Sequence, residues 1–409
     1  MKMSNLGNPF GPSIARPRPR LNMPMALAGL LVVLQSCGGS TATSSPDASG
    51  NGGQGDSGGA VGSGGAVGTA GVVGTGGAAG RGGSAGSNST SGLEVLTTFR
   101  VFYVVETPDG SIFAEDGSYA LQVSTDNGKT WHAVPGASFA ADPLIANAQG
   151  EVVVGTRAVG STPPTVYTCR ATGCTASTGI SGAVTRMTGF TADAAGVMYA
   201  INTNASLIHR SSDHGHTWTA INAKLPSTIG AAWCIEADAY GLMMGGEIGA
   251  ILQSTDGGLN WVDRGLYRSS TRTPSEYKGN LWSIATDPVT GNLLAAVGDP
   301  DVPGVGSLQV HRPSDALGVW HGVQGLRGAE GENFSGWVFQ ADGSILGGAI
   351  VPTPGLGEVY KSTDGGATWV EISSKIGMTF SGLTHLHIGP SGCLYISHKL
   401  GLVRNCSGY

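Results

Sequence analysis

The sequence predicts an all-β protein, a β-propeller of seven four-stranded blades, and three observations carry that prediction. An eight-residue phrase occurs four times, at Ser124 to Trp131, Ser211 to Trp218, Ser254 to Trp261 and Ser362 to Trp369; each copy reads Ser-x-Asp-x-Gly-x-Thr/Asn-Trp. A second phrase, a polar Gly-containing turn running into a β-rich stretch, begins at Asp109, Asn147, Asp193, Asp238, Asp287, Asp342 and Gly389. Its copies start 38 to 55 residues apart, which is the period of a propeller blade. Seven such units also use up the 317 residues from 93 to 409.

Composition narrows the function classes. The chain has 409 residues, 69 of them Gly, and carries 22 basic against 28 acidic groups. Residues 1 to 92 hold 5 basic and 2 acidic groups, so the remainder carries 17 against 26, a balance of -9. That excess opposes binding to phosphate backbones, so no nucleic-acid partner is expected.

Taken in order, residues 1–36 form an export signal. Lys2, Arg16, Arg18 and Arg20 precede the apolar run Met25 to Leu34, which is too short to span a bilayer as a helix. Leu34-Gln35-Ser36-Cys37 follows and resembles the bacterial lipobox, which implies cleavage before Cys37 and lipidation of its thiol. An ordinary secretory signal is the alternative. Several acyl chains on one Cys give stable anchoring, so the expected location is the bacterial envelope, at the outer membrane or cell surface. Residues 37–92 are then a tether: 21 of the 55 residues from Gly38 to Gly92 are Gly, and such a segment cannot bury a core.

Residues 93–409 form the propeller. The eight-residue phrase resembles the Asp-box, also called the bacterial neuraminidase repeat. Asp126, Asp213, Asp256 and Asp364 should each accept backbone N–H bonds across a hairpin turn whose Gly supplies positive φ and whose Trp covers the turn. Blade 2 has Cys169 and Cys174 where a box would stand, and blade 5 has a decayed box around Asp315. Cys393 and Cys406 fall opposite each other across the turn at Gly401, within disulfide reach. An exported chain makes both bridges plausible and leaves Cys234 as a buried thiol. Blade 7 reaches Tyr409 after three strands, so Leu93 to Phe99 should supply its outer strand and close the ring.

In such blades the Asp-boxes and Asp-turns share one face, and the long connections share the other. A scaffold usually places its site among the long loops. Trp233, Trp282 and Trp337 occupy what counting from the turns makes an equivalent position in three successive blades. They read either as a sugar-stacking row or as packing between blades. Arg272, Glu276, Tyr277, Arg327 and Glu330 stand in the nearby loops. Asp299 and Asp301 offer two carboxylates to Ca²⁺, too few for a firm site, and no other cofactor is expected. His385 and His387 share a strand face and read as packing rather than metal ligands.

Phe99-Arg100-Val101-Phe102 ahead of Thr107-Pro108-Asp109-Gly110 resembles the opening of bacterial sialidases, and the resemblance implies that Arg100 binds a substrate carboxylate. Tyr277 beside Glu276 is the weaker carry-over, to that family's nucleophile pair. The seven-blade count is closer to photosystem assembly-factor-like propellers, sortilin ectodomains and xyloglucanase propellers. The expected function is a monomeric envelope lipoprotein that binds a glycan or protein on its long-loop face without catalysis. A sialidase-like or glucanase-like glycosidase is the alternative.

Overall fold

The computed structural model describes residues 92–158, 163–180, 186–202, 207–221, 225, 232–238, 240–246, 250–266, 280–298, 306–316, 318–326, 333–350, 356–376 and 380–408. They form seven antiparallel sheets, each a blade. The inner strands are Val101–Glu106, Ala141–Ala146, Met187–Ala192, Ala232–Asp238, Asn280–Thr286, Asn333–Phe339 and Leu383–Ile388. Each packs against the next and the seventh packs against the first, so the ring is closed. One short helix, Ser373–Ile376, interrupts the β-structure among the described residues.

Closure uses both ends of the ring. Leu93–Thr97 lies antiparallel against Gly401–Asn405, the third strand of blade 7. Arg404 reinforces the join by reaching Glu94 at 2.5 Å and Asn127 of blade 1. The core is a set of apolar layers between neighbouring blades; one joins Phe113, Leu121 and Val123 of blade 1 to Leu144, Val152 and Val154 of blade 2.

The four boxes are built alike. In the first, the Ser124 hydroxyl donates to Asp126 Oδ1 at 2.8 Å, and Gly128 N–H donates to Ser124 Oγ at 2.8 Å. Thr130 donates its N–H to Oδ1 and its hydroxyl to Oδ2 of Asp126. Gly128, Gly215, Gly258 and Gly366 have φ of 85, 96, 92 and 88°, a region that side chains resist. Each box Trp closes its turn by donating Nε1–H to the box Gly carbonyl. Cys169–Cys174 and Cys393–Cys406 are disulfides and Cys234 is a buried free thiol.

Candidate functional site

Every inner strand carries one extra residue near its start, at the long-loop end. In blade 1, Phe102 and Tyr103 together oppose Glu115; in blade 2, Asp142 and Pro143 oppose Gly155. The inserted residues of blades 3 to 7 are Thr188, Trp233, Trp282, Ser335 and Thr384. Such bulges re-aim side chains at the rim of a sheet. Gly155 makes room for the one in blade 2: a Cβ there would lie 2.8 Å from Met187 and 2.9 Å from the Asp142 carbonyl.

Charged groups meet at the seam of blades 1, 2 and 3. Asp142 is 1% exposed, and its Oδ2 accepts Arg157 Nε–H at 2.5 Å and lies 3.9 Å from Arg186 Nη1. The two arginines are joined by a backbone bridge. The Arg157 guanidinium lies 4.3 Å from the centre of the Tyr119 ring, and Tyr119 stacks on Phe102 at 5.4 Å and 11°. Arg100 lies 4.1 Å from the Phe102 centroid, so two stacked rings link two cations. Tyr119 is held at φ 65° by a turn in which the Asp116 carboxylate accepts the N–H groups of Ser118 and Ala120. A non-glycine residue in that region costs roughly 1 kcal/mol or more and is enriched at functional sites.

Glu115 is 0% exposed. Neither of its carboxyl oxygens has a hydrogen-bond partner among the described residues. Burial first, and the neighbouring Asp142 second, push its pKa well above the usual carboxylate range against the opposing pull of Arg157 and Arg186. Burial, then Asp142 and Glu115, likewise raise Tyr103. Arg157 Nη2 and Arg186 Nε are buried donors with no acceptor among the described residues. The seam therefore holds a buried carboxyl group whose neutral form burial favours, the salt-bridged Asp142 and two unmet guanidinium donors, each unmet group costing about 1 to 3 kcal/mol.

Tyr103 extends the cluster towards blade 7, its ring centre 5.4 Å from that of His385. Burial lowers His385 to about 4 and, with His385 as neighbour, His387 to about 3. His387 Nε2 accepts the Glu106 N–H at 3.1 Å, which leaves the ring proton on Nδ1.

Few of the residues singled out in the sequence fall within the description. Trp233 is half-buried in the blade 4 bulge. Trp282 is the corresponding residue of blade 5, and its side chain lies outside the description. Trp337 is not equivalent to either. It stands two residues beyond the blade 6 insertion, opposite Gly347, and is 1% exposed. Its indole stacks on Phe334 at 5.1 Å and donates to Ser283 Oγ of blade 5, so it is core between blades, the packing alternative read for it from the sequence. Arg272, Glu276, Tyr277, Arg327, Glu330, Asp299, Asp301 and Cys37 lie outside the described residues. Glu115, Arg157, Arg186 and Tyr119 were missed. Asp142 was visible, as the one charged residue at the position that holds Trp233 and Trp282.

Comparison with known proteins agrees with this architecture. A family model described as the BNR/Asp-box repeat matches residues 122–133. No curated protein matches the sequence. Among solved structures, the extracellular domain assigned to a one-component system of B. thetaiotaomicron is 10% identical with a TM-score of 0.56, covering 76% of this chain and 39% of its own. The chain thus spans about two fifths of that relative. YCF48 from Cyanidioschyzon merolae is 16% identical with a TM-score of 0.54, covering 76% of this chain and 97% of its own. The GH74 xyloglucanase from Xanthomonas campestris is 16% identical with a TM-score of 0.56, covering 76% and 52%. At these identities the likeness is one of fold. By its repeated hairpins, its blade count and the match to the repeat model, the chain is a seven-bladed Asp-box β-propeller.

Proposed function

We propose that the chain is an exported, lipid-anchored propeller that binds a glycan at the long-loop mouth of blades 1 to 3. The observation that carries this reading is Glu115, fully buried with both oxygens unmet, beside two arginine nitrogens that are also unmet. A sugar hydroxyl both donates and accepts, so adjacent hydroxyls satisfy an acid and guanidinium groups together. The half-buried Tyr119 ring lies beside these groups; its faces are taken by Phe102 and Arg157, so a sugar would meet it at its edge. Export and anchoring rest on the apolar run and Cys37; Cys37→Ala should release the protein from membranes, and retention there would reject the anchor.

One observation favours a second reading, hydrolysis of that glycan. Burial and then Asp142 push the Glu115 pKa upward, and a carboxyl group so raised beside a second carboxyl group is the pairing that glycoside cleavage uses. A glycan array identifies the ligand, and release of reducing ends from it separates the readings. Under binding alone, Arg186→Gln weakens affinity about tenfold or more and no sugar is released. Under hydrolysis, Glu115→Gln abolishes release while affinity persists. Full affinity in both variants rejects the site.

A further inference from the structure

The opposite face, where the Asp-turns and boxes lie, differs from seam to seam in how its turns are capped. At two seams there, the carbonyl that follows a box Asp is capped from the preceding blade by a side-chain amide. Asn147 Nδ2–H donates to the His214 carbonyl at 2.8 Å between blades 2 and 3, and Asn292 Nδ2–H donates to the Gly365 carbonyl at 2.9 Å between blades 5 and 6. The same carbonyl in blade 4 belongs to Gly257. The turn facing it from blade 3 has Asp193 where blade 2 has Asn147, and Val197 where blade 5 has Asn292. Neither side chain carries an N–H.

A cavity of about 430 Å³ lies at this seam, lined chiefly by Asp193, Tyr199, Asp238, Tyr240, Thr255 and Gly257, with no basic residue among the described residues of its wall. Asp193 Oδ1 is taken by the Ala195 and Val197 N–H groups of its own turn. Asp238 Oδ1 is taken by Tyr240 N–H. Burial raises the Asp238 pKa against hydrogen bonds from Thr286 and its own turn, as expected of a carboxyl that lacks a cation. Tyr240 is 50% exposed at one wall, whereas Tyr199 is buried in another.

We propose that this cavity binds a primary ammonium group on an aliphatic stem, as carried by a lysine side chain or a polyamine. An ammonium has three donors and no acceptor, and the wall offers acceptors: the second oxygens of Asp193 and Asp238 and the Gly257 carbonyl. Hydrogen bonds from a charged donor to carboxylates are the strong kind, and the tyrosine rings give the cation and its stem a face to lie on. The substitution of Asp for Asn at position 193 thus converts an internal cap into an acceptor for an external donor.

The test is ligand-observed NMR titration of the full chain with cadaverine and with the tripeptide amide acetyl-Gly-Lys-Gly. Binding of both supports the shared ammonium chemistry; binding of only cadaverine assigns it to polyamines, and binding of only the peptide assigns it to a protein partner. Asp193→Asn restores the amide found in blade 2 and should weaken the bound probe about tenfold or more without lowering the melting temperature. Tyr240→Ala, at a half-exposed position, should weaken it several-fold. Failure of both probes, equal affinity for 1-pentanol, or undiminished affinity in Asp193→Asn overturns the proposal.

Discussion

Glu115 illustrates how a single residue can be set against its own fold. Unfolded, its carboxyl ionises near pH 4.5; folded, burial and Asp142 hold it protonated to well above that. The unfolded chain therefore binds fewer protons than the native one across that interval, and stability falls as pH rises through it. Glu115→Gln removes the ionisable group and should raise the melting temperature at pH 7 and flatten its decline between about pH 5 and 7. Calorimetry across that range checks it; an unchanged slope would mean that Glu115 is not held neutral. Position in sequence gave no sign of this, because Glu-Asp before a Gly turn reads as ordinary surface. Only the bulge opposite Glu115 and the packing of blade 2 against it bury the group. Trp337 errs the other way: counting back from Asp342 aligns it with Trp282, but the blade 6 turn opens two residues earlier, at Gln340, whereas the blade 5 turn opens at Asp287, so the residue equivalent to Trp282 is Ser335.

At the scale of the element, the hairpins were legible in advance because their chemistry is local. Ser, Asp, Gly, Thr and Trp all act within eight residues, so no tertiary knowledge is needed to read them. What differs between boxes is how deep the Trp goes. Trp369 is 2% exposed and packs against Phe334 and Trp337, while Trp131 is only half-buried. Trp369→Ala should cost about 3 to 5 kcal/mol and Trp131→Ala clearly less, as chemical denaturation would show. Equal losses would mean that the turn itself, rather than burial, sets the Trp contribution. The disulfides differ in the same way. Cys393–Cys406 closes 13 residues and ties two strands of the blade that joins the termini of the ring, whereas Cys169–Cys174 closes 5 across one turn. Removing the former pair should cost about 3 kcal/mol and the latter less.

For the whole molecule, the repeat period and the outer strand from Leu93–Thr97 were readable because seven units must close on themselves. The charged cluster was not. Long loops and a Trp pattern pointed to blades 4 to 6, whose long loops lie largely outside the described residues; the charged residues that converge at blades 1 to 3 come from separate blades and from no motif. The ring also carries a pH limit. His385 and His387 are buried and neutral between blades 7 and 1, lowered to about 4 and about 3 by burial. In the unfolded chain each takes a proton near pH 6.5, so stability held above that pH is lost as pH falls from about 6.5 towards 4. For His385 alone the shift corresponds to a loss on the order of 3 kcal/mol. His385→Phe should keep the packing and remove part of that acid sensitivity, which thermal unfolding at pH 5 against pH 7 would reveal. No change in sensitivity would show that the imidazole takes up its proton as readily in the fold as in the unfolded chain.

If a glycan enters at the long-loop mouth of blades 1 to 3, hydrogen–deuterium exchange of the full chain with and without the glycan found on the array should show it. Exchange should slow in residues 99–103, 114–120, 140–143, 155–158 and 186–190, with the Asp-box turns unchanged. Protection confined to the loops of blades 4 to 6, or to the turn face, would contradict it.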